Sequence, residues 1–234
     1  MIERYDWARG SEAIWRFGGG SGAVVLLAMP LFDEANRMRA FAATLLRAIA
    51  GQGLVGMLPD LPGTGESLVA TCDARLEDWR AAFAAASRHA AAIGPVHVAA
   101  LRGGALVDGP ATDAISRWHF APARGDAIVR ELMRARALTE GPLTIDLGDQ
   151  TDDGPPVVLA GNALARPMLR ALNRAGYDGG GPLRTVRLTG DAGDADHRVE
   201  ASPLWRRAEP ANDPALAVSL AADLVAWVRS CGAS

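Results

Sequence analysis

The chain has no lysine: all 24 basic residues among its 234 are arginines. That excludes a P-loop nucleotide site, whose phosphate cradle depends on a lysine. Cysteine is scarce too. Cys72 and Cys231 form no metal-binding or redox motif, and their spacing leaves a disulfide between them open. The formal net charge is only −3, so there is no electrostatic case for a nucleic-acid partner. No apolar run approaches the ~20 residues needed to cross a bilayer. The first seven residues lack the basic start and apolar stretch of a signal peptide. These absences predict a cytoplasmic protein that does not span a membrane, with no metal and no cofactor. The glycines from Gly18 to Gly22 precede a strand, whereas a dinucleotide fingerprint must follow one and open a helix.

With 49% hydrophobic and 22% charged residues, the chain is long enough to bury one sizeable core. Apolar runs of strand length alternate with amphipathic segments. Strands are expected at 13–17, 23–29, 54–58, 96–101, 115–120, 157–159 and 183–188, with a last one beginning at Val199. Helices are expected at 34–50, 76–93, 126–138, 167–173 and 214–228, and a further one is expected from Gly103 onward. Such alternation predicts an α/β fold with a mostly parallel central sheet and helices on both faces. No linker divides the chain, so residues 1–234 read as one domain, with 122–182 as a reduced lid region.

Residues 95–106 carry the sharpest signal. An apolar strand runs into Ala100-Leu101-Arg102-Gly103-Gly104. That is the layout of a nucleophile elbow, G-x-S-x-G, in which a serine stands on a tight strand-to-helix turn. Here Arg102 holds the serine's place, and a guanidinium stays protonated and cannot attack a carbonyl. The partner base is missing as well. His89 lies in a helix, His97 and His119 lie in strands, and His197 precedes the last strand. The region from Ser202 to Pro210, where a triad histidine belongs, contains none.

Three further loops lie at the carboxyl ends of strands, where sites on such sheets form. Residues 60–67 have the D-x-x-G-x-G-x-S pattern, in which Asp60 and Ser67 close a turn. Residues 30–39 bring Phe32, Asp33, Glu34, Asn36, Arg37 and Arg39 to the mouth of the sheet. Acids there suit a helix N-terminus, and Glu34 or Asp33 is also placed to pair with Arg102. Residues 189–197 supply Asp191 and Asp194 as candidate triad acids. Asp194, Asp196 and His197 match no defensible metal spacing, and a solvated loop explains them.

With these residues placed, the chain resembles the exosortase-A-associated hydrolases, second class, of the α/β-hydrolase superfamily. Pro30-x-x-Asp33-Glu34-x-Asn36-Arg37-x-Arg39 resembles a family pattern P-x-x-E-E-x-N-K-x-R. Leu101-Arg102-x-Gly104-Ala105-Leu106 resembles L-R-x-G-A-L, which also has arginine at the elbow. Glu77-Asp78-Trp79 and Pro203-x-Trp205-x-x-x-Glu209 match two more segments. The resemblance covers most of 24–107 and 199–228 and implies a link to exosortase sorting and exopolysaccharide production. The family's hydrolase label is itself an analogy of fold and does not settle activity.

Three readings of the site follow. In the first, the chain binds a small anionic or lipid- or sugar-linked ligand without serine catalysis. Arg102 and the amides of Gly103 and Gly104, at a helix N-terminus, anchor the anion, and Phe32, Glu34, Asn36 and Asp60 surround it. In the second, Arg102 forms a salt bridge with Glu34, Asp60 or Asp191 and shuts the old site. In the third, the chain is an ester or thioester hydrolase with a displaced nucleophile, Ser67 or Cys72, or with a water activated by Asp191 or Asp194. A protein partner of the exosortase or exopolysaccharide system also remains in view, with Trp205 beside Arg206 and Arg207 as a surface anchor.

Overall fold

The computed structural model describes residues 1–109, 113–148, 154–177 and 180–232. In chain order these form β1 (Ile2–Trp7), β2 (Gly10–Phe17), β3 (Val24–Ala28), α1 (Asp33–Ala50), β4 (Val55–Pro59), α2 (Leu76–Ala91), β5 (Val96–Leu101) and β6 (Ser116–Phe120). Then follow α3 (Gly125–Glu140), β7 (Val157–Leu159), β8 (Asn162–Leu164), α4 (Arg166–Arg174), β9 (Leu183–Leu188), β10 (His197–Val199) and α5 (Pro214–Gly232). Eight strands make one sheet in the order β1-β2-β4-β3-β5-β6-β9-β10, and β7 and β8 form a separate hairpin. β1, β2 and β4 pair antiparallel, and every pairing from β4 to β10 is parallel.

The central strands β3, β4, β5 and β6 are buried at every position, as expected of strands covered on both faces. One face packs against α2, α3 and α4, and the other against α1 and α5. Helix α1 follows from its pattern: Met38, Phe41, Ala42, Leu45, Leu46 and Ile49 make one apolar stripe, with Asp33 and Glu34 in the first turn and Arg47 in the last. Gly56 lets α1 approach β4 closely, since a Cβ there would lie 2.8 Å from a Leu46 methyl.

Four expectations need correction. The amino terminus forms a hairpin of two strands, β1 and β2, where one strand at 13–17 was expected. Only Tyr5 of β1 is buried, so β1 shows little of the apolar alternation that reveals a strand. No α-helix follows Gly103. Residues Arg102–Leu106 make one 3₁₀ turn, and Asp108 then folds inward against His119 and Arg117. Val199 ends the last strand of the sheet instead of beginning it. Finally, α5 is a 19-residue helix long and apolar enough to cross a membrane by length and composition, contrary to the expectation that no such segment exists. Its stripe of Leu216, Leu220, Leu224 and Val228 is buried against the sheet and α1, as in a core helix.

Within 122–182, α3, the β7–β8 hairpin and α4 contribute Ile128, Leu159, Leu164, Met168 and Leu172 to the larger core. Residues 149–153 and 178–179 of that segment lie outside the described residues.

Candidate functional site

The strand order brings the loops after β3, β4, β5, β6 and β9 to one edge of the sheet, with Arg102 at their centre. Arg102 adopts φ 53°, a left-handed conformation that costs a non-glycine residue about 1–2 kcal/mol. A strained residue at the end of a central strand is also how a nucleophile elbow is built. Gly104 is required beside it, because a Cβ there would lie 2.4 Å from the carbonyl oxygen of Ala28.

Each nitrogen of the guanidinium has a partner. Its Nε lies 3.3 Å from both carboxylate oxygens of Glu34, and Nη2 donates to Oε1 at 3.0 Å. Nη1 donates to the Ala121 carbonyl at 3.2 Å, and the Glu131 carboxylate lies 3.7 Å from Nη2. Trp205 covers the other side, its ring centroid 4.5 Å from the guanidinium carbon, within range of a cation–π contact. Only 12% of the Arg102 side chain and 14% of that of Glu34 are exposed. Burial pushes the Glu34 carboxyl above its ordinary value, more than Arg102 pulls it down.

Of the four acids the sequence offered Arg102, the structure selects Glu34. Asp60 accepts the Glu66 amide at 2.9 Å and is raised above its ordinary value chiefly by burial. Asp191 is not in contact with Arg102; its Oδ2 is buried and accepts no hydrogen bond among the described residues. Asp33 pairs instead with Arg37, which also donates to the Trp205 carbonyl at 2.9 Å. Two features differ from the arrangement expected of an anion site. The 3₁₀ turn at Arg102–Leu106 is too short to act as a helix N-terminus, and Glu34 already occupies the fork of Arg102.

The displaced nucleophiles are held by structure. Ser67 Oγ accepts the amides of Gly63 and Val69 and donates to Glu12. Cys72 Sγ lies 3.7 Å from an Asp73 carboxylate oxygen. Both cysteines are free. Asp194 is exposed, and its backbone carbonyl accepts from Arg187.

All four histidines are accounted for. His89 meets Glu3, His119 meets Asp108 at 2.7 Å, and His197 is exposed on β10. His97 meets Ser116 at 2.8 Å. That Ser–His pair escaped the sequence reading because the two residues sit on neighbouring strands. It is buried near the amino ends of β5 and β6, away from the edge where the loops gather.

Trp205 also departs from expectation. It is 3% exposed, so it is no surface anchor. It stands after β10, where a triad histidine would come, and packs edge-on against Phe120.

Two cavities adjoin the start of α1. One, of about 410 Å³, is lined by Glu34, Arg37, Glu131, Leu132, Trp205 and Arg206 and lies over the ion pair. The other, of about 200 Å³, lies between the start of α1 and the loop after β4. Leu31 and Phe32 line both and form the wall between them. Phe32 holds this place with φ 57° and a tilted contact to Trp79 at 5.5 Å.

This architecture is the α/β-hydrolase fold. A thermophilic esterase from Thermogutta terrifontis superposes with a TM-score of 0.57 at 13% identity, over 99% of each chain. An α/β serine hydrolase without a lid from Xanthomonas campestris gives 0.57 at 11% identity, over 98% of this chain and 94% of that one. Est1E from Butyrivibrio proteoclasticus gives 0.59 at 12% identity, over 100% and 99%. No protein-family model and no curated protein matches the sequence.

Proposed function

We propose that this chain is a hydrolase-fold protein that does not perform serine catalysis and instead binds a small ligand or a partner beside its closed elbow. One observation carries this reading: the nucleophile position is Arg102, bound through its fork to Glu34 and stacked on Trp205. A guanidinium stays protonated and cannot attack a carbonyl. The alternative, an ester or thioester hydrolase with a displaced nucleophile or an Asp-activated water, has less support: Ser67 is bound into its own loop by two amides and Glu12, and neither Ser67 nor Cys72 has a histidine partner among the described residues.

The motifs around Glu34, Asn36, Arg39, Arg102 and Trp205 favour placing the chain with the exosortase-A-associated hydrolases of the second class, in the cytoplasm. Its ligand would then be an anionic or a lipid- or sugar-linked molecule of that system, or its partner a protein of exopolysaccharide production. Ester and thioester turnover by wild type, Ser67→Ala and Cys72→Ala tests the catalytic half. The account expects no turnover above buffer for any of them; turnover by wild type that either variant abolishes would reverse it.

A further inference from the structure

The smaller cavity has the chemistry of a binding site in its own right. Its walls are apolar, with Leu31, Phe32, Trp79 and Phe83, and it holds two opposite charges, Asp60 and Arg39. Asp60 is only 7% exposed. Arg39 is close enough to draw its carboxyl down partway, yet no ion pair joins the two among the described residues. Asn36 stands one helical turn before Arg39 and lines the same mouth. The tip of the β7–β8 hairpin closes the cavity through Asn162, whose amide is fixed by the carbonyls of Leu159 and Ala160.

An occupant must satisfy both charges at once. Asp60 calls for a hydrogen-bond donor, and an ammonium there would face the Arg39 charge. Arg39 calls for an anion, and a planar carboxylate matches its fork with a single charge. A phosphate dianion would set two charges against Asp60. The volume of about 200 Å³ lies below the ~300–1,000 Å³ of sites for drug-sized ligands, which leaves one ring or a short chain.

We propose that this cavity binds a small hydroxy-substituted carboxylic acid, with the hydroxyl donating to Asp60, the carboxylate held by Arg39 and Asn36, and the hydrocarbon body against Phe32 and Trp79. The inference names a ligand class for the binding role proposed above and rests on that reading.

The test is titration calorimetry of wild type, Arg39→Gln and Asp60→Asn with two matched pairs of probes, 4-hydroxybenzoate with benzoate and 3-hydroxybutyrate with butyrate. Arg39 is exposed, so its variant folds as wild type does, and a thermal melt checks Asp60→Asn. The expected result is that wild type prefers the hydroxy acid of at least one pair by about tenfold. Asp60→Asn should erase that preference, and Arg39→Gln should weaken both members of the pair by about tenfold. Absence of binding by all four probes to folded wild type overturns the proposal, as does equal affinity within both pairs. Labelling of wild type by a fluorophosphonate would defeat the non-catalytic reading separately, leaving the affinities to judge the cavity.

Discussion

The guanidinium carbon of Arg102 lies 4.5 Å from the ring centroid of Trp205, so the two positions that would hold nucleophile and base in a hydrolase touch each other as cation and aromatic face. With Glu34 on the cation's fork, the contact ties the turns after β5, β6 and β10 to the start of α1. The three side chains act as a clasp across these turns.

If so, Arg102→Ala should destabilise the fold strongly, because it strands the Glu34 carboxylate in a buried place. Loss of one partner of such a pair costs about 3–5 kcal/mol. Denaturant unfolding should also show that Glu34→Ala in the Arg102→Ala background costs much less than in wild type, as expected for coupled neighbours.

Asp223 offers a test by pH. Burial raises its carboxyl, but hydrogen bonds from Arg184 and from the Trp118 indole outweigh that and hold it below the ordinary value. A carboxylate depressed in the folded state adds stability above its unfolded pKa and loses it as pH falls through the folded one. Asp223→Asn should therefore lose about 1–3 kcal/mol near neutrality. The gap to wild type should close as pH drops below about 4, read by thermal melting across pH.

Gly65 has φ 54°, and a Cβ there would sit 2.2 Å from an Asp60 oxygen. Gly65→Ala should cost at least about 1–2 kcal/mol from the backbone alone and displace Asp60 from the smaller cavity. Crystallography of the variant would show the moved carboxylate, and melting the lost stability.

Ser67 and Cys72 should separate by stability, not by chemistry. Ser67→Ala removes two accepted amide bonds and the donor to the buried Glu12, a loss of about 1–3 kcal/mol. Cys72, partly exposed beside Asp73, should tolerate alanine within about 0.5 kcal/mol.

The sheet was legible in the sequence wherever burial wrote an apolar run. β3 and β5 read correctly because both faces are covered. β1 did not, since its residues are largely exposed and polar. The helix expected after Gly103 was read from its Ala and Leu content. In the fold those residues are core filler in a 3₁₀ turn, cut short where Asp108 turns to meet His119. The elbow and the lack of a histidine after the last strand were visible as residue types in place. That Trp205 would be buried over Arg102 was not, because neighbouring Arg206 and Arg207 gave that stretch the look of a surface.

The most direct measurement is reaction of the purified wild-type protein with a fluorophosphonate probe, read by intact mass beside Arg102→Ser. The account predicts that wild type gains no mass. A gain of one probe on wild type would reveal an activated serine and contradict the claim that Arg102 has replaced catalysis at this elbow.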